Sequence, residues 1–167
     1  MASYKGHLAG GVVSGGAALA GFYAFTLGKI PDGGVLLSDW QLIAGTLIVA
    51  ALFGLWPDVD TNSKAQDLFF LVALIADLYL IINDNYVSAA ILGLVAMTPI
   101  VGNHRGWTHK RWAAVIVPLP ILLVPYLTVN SVGDTAILLY VSSVAGYLSH
   151  LLLDGLIIKK LRVKSRW

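Results

Sequence analysis

The sequence predicts an all-α, polytopic bundle of about six transmembrane helices that forms a single membrane-embedded domain. Of its 167 residues, 57% are hydrophobic and only 12% are charged, whereas a soluble domain has about 25% charged residues. The mean hydropathy is +0.79. This composition argues against a soluble enzyme, a disordered chain and a nucleic-acid-binding domain. The absence of cysteine excludes disulfides and thiolate metal sites.

The apolar stretches of the chain place the spans. A bilayer core of about 30 Å needs about 20 apolar residues of helix. The third and fourth stretches are shorter and meet at the turn-prone triplet Asn83-Asp84-Asn85, which predicts a tight helical hairpin. Within the single domain 1–167, the predicted spans are 8–28, 40–57, 68–83, 86–102, 112–129 and 135–158.

The first stretch has a second interpretation. Lys5 and the small residues on either side of Leu19 fit the pattern of a cleaved signal peptide. The stretch is rich in glycine rather than leucine, however. Gly11 and Gly15 form a small-xxx-small pair that suits close packing of transmembrane helices. We therefore expect a retained first span.

The basic residues predict the orientation. If six spans follow a cytoplasmic N-terminus, ten of the eleven Lys and Arg residues are cytoplasmic, all except Lys29. The positive-inside rule favours this arrangement. Tryptophans lie at the predicted span ends, where their rings settle at the membrane interface. We expect an integral protein of the inner membrane, surrounded by lipids, with both termini in the cytoplasm and no nucleic-acid partner.

All four histidines and three aspartates are expected near the cytoplasmic ends of helices, although they come from four separate parts of the chain. Imidazole and carboxylate together suit zinc, manganese and similar divalent metals. Three protein ligands and an open position make a catalytic site, so seven candidates can serve one or two ions. Two ions can clamp both oxygens of a phosphoryl transfer, and metal-bound water ionises near neutral pH. The candidate metal ligands are His7, Asp58, Asp60, His104, His109, His150 and Asp154.

Each motif alone also has a purely structural interpretation. The run 104–109 could be a basic interfacial loop in which Thr108 caps the fifth helix. The run 57–60 could be a turn, and His150 and Asp154, four residues apart on one helix face, could form a hydrogen-bonded pair. The combination favours function, because no histidine falls outside the predicted cluster and ionisable groups inside spans are costly.

Two further charged residues carry separate hypotheses. Arg105 is predicted to bind an anionic group of the substrate, because the planar guanidinium matches phosphate or carboxylate. Its alternative role is a charge that snorkels to lipid headgroups. Asp77 lies about 15 Å into the third span at 1.5 Å per residue. We expect it to face the bundle interior, as a neutral hydrogen-bonded acid, a support for the site or part of a proton path.

The motifs resemble a known family, the inner-membrane metal-dependent hydrolases that are also described as LexA-binding. The family pattern has an early histidine, a Pro-Asp-x-Asp motif with a later serine, a His-Arg-Gly-x-Thr-His-Ser motif and a late His-x-x-x-Asp. One departure is Lys110, which stands where the pattern has its last serine. The resemblance spans nearly the whole chain and implies metal dependence. It is carried by His7, by Pro57-Asp58-Val59-Asp60 with Ser63, by His104-Arg105-Gly106-Trp107-Thr108-His109, and by His150 with Asp154.

The sequence therefore predicts a membrane-embedded hydrolase that uses metal-activated water on a phosphoester of a lipid, a lipid-linked phosphate or another amphiphile at the cytoplasmic face. Arg105 would bind the substrate. One alternative is a non-enzymatic metal-ion transporter with Asp77 in its ion path, although transporter sites usually lie near the midplane. Another is a membrane anchor whose basic face recruits a cytoplasmic partner. The predicted catalytic residues are Asp58, Asp60, His104 and His109.

Overall fold

The computed structural model describes residues 3–26, 40–59, 64–97 and 107–155, and most of these residues are helical, with no strand in these ranges. Short 3-10 turns lie at Trp56–Asp58 and Trp107–His109. The all-α prediction is confirmed. The helices are α1 (Tyr4–Phe25), α2 (Trp40–Leu55), α3 (Lys64–Ile82), α4 (Tyr86–Met97), α5 (Ala113–Ile116), α6 (Pro120–Val129) and α7 (Asp134–Leu153).

Three of the described helices are long and apolar enough to cross a membrane: α1, α2 with its 3-10 extension, and α7. The stretch α5 to α6 and helix α4 are shorter apolar segments. Large apolar side chains lie exposed on the outer faces of the helices, among them Ile75, Leu94 and Leu127. Such a surface is the reverse of what a soluble globule presents, and it suits contact with lipid chains.

The helix boundaries differ from the predicted spans where the local chemistry is specific. Helix α1 begins at Tyr4 rather than residue 8, because the side chain of Ser3 accepts a hydrogen bond from the Gly6 N–H and caps the helix. The predicted hairpin joins α3 to α4, and Asp84 takes a left-handed conformation in its turn, with φ of 59°. The predicted ends at 27–28, 98–102 and 156–158 lie outside the described residues.

The predicted fifth span is one apolar segment, Ala113–Val129, whose regular helical hydrogen bonds are interrupted near its middle. Helix α5 ends at Ile116 and α6 begins at Pro120. Pro118 and Pro120 lack a backbone N–H, and their rings crowd the carbonyls of the preceding turn, so a regular helix cannot run through them. Pro120 instead stands in the first turn of α6, where its missing N–H is not needed.

Helices α1, α2 and α7 form the core that carries the rest of the described bundle, and each buries a stripe of residues spaced four apart. Small side chains in the middle of each stripe let the three backbones approach. At one end of the stripes, leucines from all three helices pack together. The stripes are His7, Gly11, Gly15 and Leu19 on α1, Leu42, Thr46, Ala50 and Gly54 on α2, and Leu138, Ser142, Gly146 and His150 on α7.

The three helices come closest at Ala50. A methyl group added to Gly146 would lie 2.1 Å from the carbonyl oxygen of Ala50, and one added to Gly11 would lie 2.7 Å from the same atom. Only a hydrogen fits at either position, so both glycines are required for this approach. The packing of α1, α2 and α7 is therefore fixed at a single level of the bundle.

We expect Gly146→Ala to destabilise the fold by about 1–3 kcal/mol, because the added methyl overpacks a contact made by backbone. Gly45→Ala is the matched control, since nothing lies within 4 Å of its added methyl, and it should change stability by about 1 kcal/mol or less, in the stabilising direction. Unfolding in detergent followed by circular dichroism measures both. Equal stability of the two variants would contradict the packing argument.

Candidate metal centre

One end of the α1–α2–α7 core gathers side chains from four separate parts of the chain. Five of the seven predicted metal ligands meet there, while Asp60, His104 and the predicted substrate-binding Arg105 lie outside the described residues. All five come from the ends of helices or from the 3-10 turns beside them. The side chains that meet are those of His7, Asp58, His109, His150 and Asp154.

Local structure places each of these side chains. His7 lies in the first turns of α1, and Asp58 ends the 3-10 turn that continues α2. His150 is in the last turn of α7 and Asp154 caps the helix, with its N–H donating to the His150 carbonyl. His109 ends the 3-10 turn that precedes α5. The site therefore lies where three long helices end on the same side.

The ring nitrogens of the histidines face the two carboxylates at ligand distances. Oδ1 of Asp58 lies 3.7 Å from Nε2 of His109 and 3.6 Å from Nε2 of His150. Nε2 of His150 also lies 3.7 Å from Oδ2 of Asp154. These separations are long for hydrogen bonds. They suit atoms that share one ion, since two ligands bound tetrahedrally at zinc distances are about 3.3 Å apart.

A group of four residues could hold a metal ion. Asp58, His109, His150 and Asp154 can each offer one ligand atom such that all four atoms lie within 4.8 Å of one another. The donors are two imidazole nitrogens and two carboxylate oxygens. This mixed set suits zinc and manganese better than calcium or magnesium, which prefer oxygen alone.

Unpartnered nitrogen atoms support a metal. Nε2 of His7, His109 and His150 is buried in each case, and among the described residues none of the three has a hydrogen-bond partner. A buried polar atom left without a partner costs about 1–3 kcal/mol, and three in one pocket require a common explanation. Cations bound in this pocket would supply the missing partners, so the residues present fit a metal.

The main-chain carbonyl of Gly54 orients His150. Nδ1 of His150 lies 2.8 Å from this oxygen. Because a carbonyl can only accept, we assign the hydrogen to Nδ1 of the neutral ring. The lone pair of Nε2 then faces the carboxylates, as a metal ligand requires. Histidine ligands in metal sites are commonly held in this way by a second hydrogen bond.

Tyr147 holds the turn that carries His109. Its hydroxyl is buried and donates a hydrogen bond to the main-chain carbonyl of Thr108. The Thr108 hydroxyl lies 3.1 Å from Nδ1 of His109. Thr108 therefore orients the imidazole instead of capping the fifth helix, whose cap residue is Trp112 and has no side-chain bond. The ring of Tyr147 also packs 5.8 Å from that of Trp56, which follows α2.

Sequence reasoning missed Gly54 and Tyr147. Both stand one helical turn from a predicted ligand, since Gly54 precedes Asp58 by four residues and Tyr147 precedes His150 by three. This spacing is the sequence feature that could have drawn attention to the two residues. It does not show that Gly54 contributes a carbonyl, or that Tyr147 reaches a turn 39 positions away.

Asp77 lies apart from this centre. It lines a cavity of about 560 Å³ between α3 and α4, together with Ile81, Tyr86 and Ala89. Its Oδ1 is buried and has no hydrogen-bond partner among the described residues. At 1.5 Å per residue, Asp77 is about 20 Å along α3 from Lys64. One hypothesis from the sequence was that Asp77 supports the metal site. Its position beside α4 does not favour that hypothesis.

Comparison with known proteins identifies the membrane family. A family model described as YdjM inner membrane protein matches residues 1–160. This match covers nearly the whole chain, including every residue of the centre. No curated protein and no solved structure gives a significant match. The match and the long apolar helices agree on a location in the membrane.

We expect Tyr147→Phe to weaken zinc binding about 10- to 100-fold, because residues that orient metal ligands have effects of that size. Tyr140→Phe is the matched control. Tyr140 is also on α7, and its hydroxyl donates to the Val115 carbonyl at 3.1 Å, away from His109. Competition against a chelating dye measures both affinities.

A second comparison separates positioning from general loss of stability. In a His109→Ala background, Tyr147→Phe should cause no further loss of zinc affinity, because the ligand that it positions is already gone. Additive losses, or equal losses in Tyr140→Phe and Tyr147→Phe, would contradict the role assigned to Tyr147.

Proposed function

Because the chain belongs to the YdjM inner membrane protein family and gathers imidazoles and carboxylates at one end of its core, we propose that it is a metal-dependent hydrolase of the inner membrane. The observation that carries the proposal is the group of Asp58, His109, His150 and Asp154, with ligand atoms within 4.8 Å of one another. Zinc or manganese suits this donor set. A divalent ion bound there would supply water that ionises near neutral pH and would polarise the scissile ester.

The described side chains of the centre differ in their exposure. The side chain of Asp58 is 18% exposed and that of His109 is 8% exposed, whereas those of His7 and His150 are fully buried. A substrate would therefore approach along the edge formed by Asp58 and His109. Asp58 is the more exposed of the two aspartates of the centre, since the side chain of Asp154 is 5% exposed.

The position of the pocket favours an amphiphilic substrate. It lies where transmembrane helices end, which is the depth of lipid headgroups. Trp112, three residues after His109, is half exposed, as expected of an interfacial ring. Lys110 directly follows His109 and is exposed. A positive charge next to His109 in the chain attracts an anionic group. These features support a phosphoester of a lipid or a lipid-linked phosphate, bound from the cytoplasmic leaflet that the basic residues predict.

The packing next to the centre argues against the alternative of metal transport. One turn further into the bundle, Gly11 and Gly146 both contact the Ala50 backbone so closely that a single methyl would clash. No ion can pass between α1, α2 and α7 at that level. Asp77, the residue that suggested an ion path, lines a cavity between α3 and α4 instead.

We expect Asp58→Asn to lower hydrolysis at least 100-fold, because it replaces a charged carboxylate ligand of the metal with a neutral amide. The assay measures release of phosphate or headgroup from phospholipids and lipid-linked phosphates in mixed micelles. Asp67→Asn is the matched control, since Asp67 is exposed in the first turn of α3. Hydrolysis that persists in Asp58→Asn at the level of Asp67→Asn would contradict the proposal.

Transport is tested separately in proteoliposomes that enclose a zinc-sensitive fluorophore. We expect zinc influx no faster than in protein-free vesicles, because the core is closed at Ala50. Influx that requires the protein and disappears in Asp58→Asn would replace the hydrolase with a transporter.

A further inference from the structure

We propose that the centre has a second metal position, held by His7 and bridged to the first by the carboxylates of Asp58 and Asp154. This inference rests on the proposed metal centre and extends it from four ligands to five. The first position is the one formed by His109 and His150 with one oxygen from each aspartate. The second lies on the His7 side of the same two carboxylates.

The two oxygens of each carboxylate face different histidines. Oδ1 of Asp58 faces His109 and His150, whereas its Oδ2 lies 3.9 Å from Nε2 of His7. In Asp154, Oδ2 faces His150 and Oδ1 lies 3.4 Å from Nε2 of His7. Each aspartate thus presents one oxygen to each position, which is how carboxylates bridge two ions.

The imidazoles of His7 and His150 are spaced for two neighbouring ions. Their rings stack with centroids 3.8 Å apart and an angle of 21° between the planes. Both Nε2 atoms are directed at the same pair of carboxylates. In two-metal sites the ions lie about 3.5–4 Å apart. Stacked rings at this distance can each supply one ligand to a different ion of such a pair.

Among the described residues, no hydrogen bond compensates for the burial of the polar His7 ring. Its side chain is fully buried, and neither Nδ1 nor Nε2 has a hydrogen-bond partner among the described residues. A histidine kept only for structure would donate to a carboxylate at about 2.9 Å. The distances of 3.4 and 3.9 Å to the two aspartates are those of atoms that share an ion.

The two positions differ in ligand number. Among the described residues, the first has four ligand atoms and the second has three, from His7, Asp58 and Asp154. A position with fewer protein ligands leaves more coordination places for water. The His7 position should therefore hold more water ligands than the first.

Metal stoichiometry tests the inference without any activity measurement. Purified full-length protein in detergent is saturated with manganese, freed of excess metal by gel filtration and analysed by elemental mass spectrometry. We expect two ions per chain in the unchanged protein and one in His7→Ala. His7→Gln, which keeps a polar side chain of similar size, should also bind one. Ser14→Ala is the control on α1, since its hydroxyl donates to the Gly11 carbonyl, and it should bind two.

Electron paramagnetic resonance gives a second readout on the same samples. Two manganese ions bridged by carboxylates should give a spin-coupled spectrum, and His7→Ala should give the six-line spectrum of an isolated ion. Two ions in both proteins, or an uncoupled spectrum in the unchanged protein, would overturn the assignment to His7. One ion in both proteins would also overturn it, while leaving the four-ligand centre intact. No bound ion in the unchanged protein would reject the metal centre itself.

Discussion

The contact of Gly146 and Gly11 with the carbonyl of Ala50 is the constraint on which the rest of the structure depends. Apolar surfaces gain little by packing against each other in a bilayer, because lipid chains are equally apolar, so close approach of backbones carries more of the association. Here two glycines meet one carbonyl from opposite helices. This contact fixes the separation of α1, α2 and α7, and also their register along the bundle axis.

The metal centre follows from that register. Four residues from Gly11, Ala50 and Gly146, in the direction of the site, stand His7, Gly54 and His150. A methyl group added to Gly54 would lie 3.0 Å from the main-chain oxygen of His7, so the glycine lets α1 approach α2 here. The carbonyl of Gly54 accepts the hydrogen bond that orients His150. One helical turn beyond Gly54 and His150 stand Asp58 and Asp154, whose carboxylates lie beside the imidazoles. The glycines of the core and the ligands of the site are thus successive layers of one packing arrangement.

The sequence was sufficient to predict the helical class and the meeting of candidate ligands at one end of the bundle, because hydropathy encodes the helices and their ends. It could not predict which atoms face each other. The facing atoms depend on the register between helices. That register is set by backbone contacts at Ala50, which a hydropathy pattern does not reveal. The contact of Tyr147 with Thr108 and the placement of Asp77 beside α4 also depend on it. The break at Pro118 was available from the sequence, since proline there cannot continue a helix.

The unpartnered imidazoles connect the chemistry of the centre to the stability of the bundle. Each buried nitrogen without a partner costs about 1–3 kcal/mol, and helix association in a membrane offers few large gains with which to offset it. An ion that binds only the folded bundle lowers its free energy by mass action. His7, Asp58 and His150 belong to three different helices, so an ion shared among them would also hold the helix ends together. Metal binding and helix association would then stabilise each other, and the core that builds the site would depend in part on the ion that the site holds.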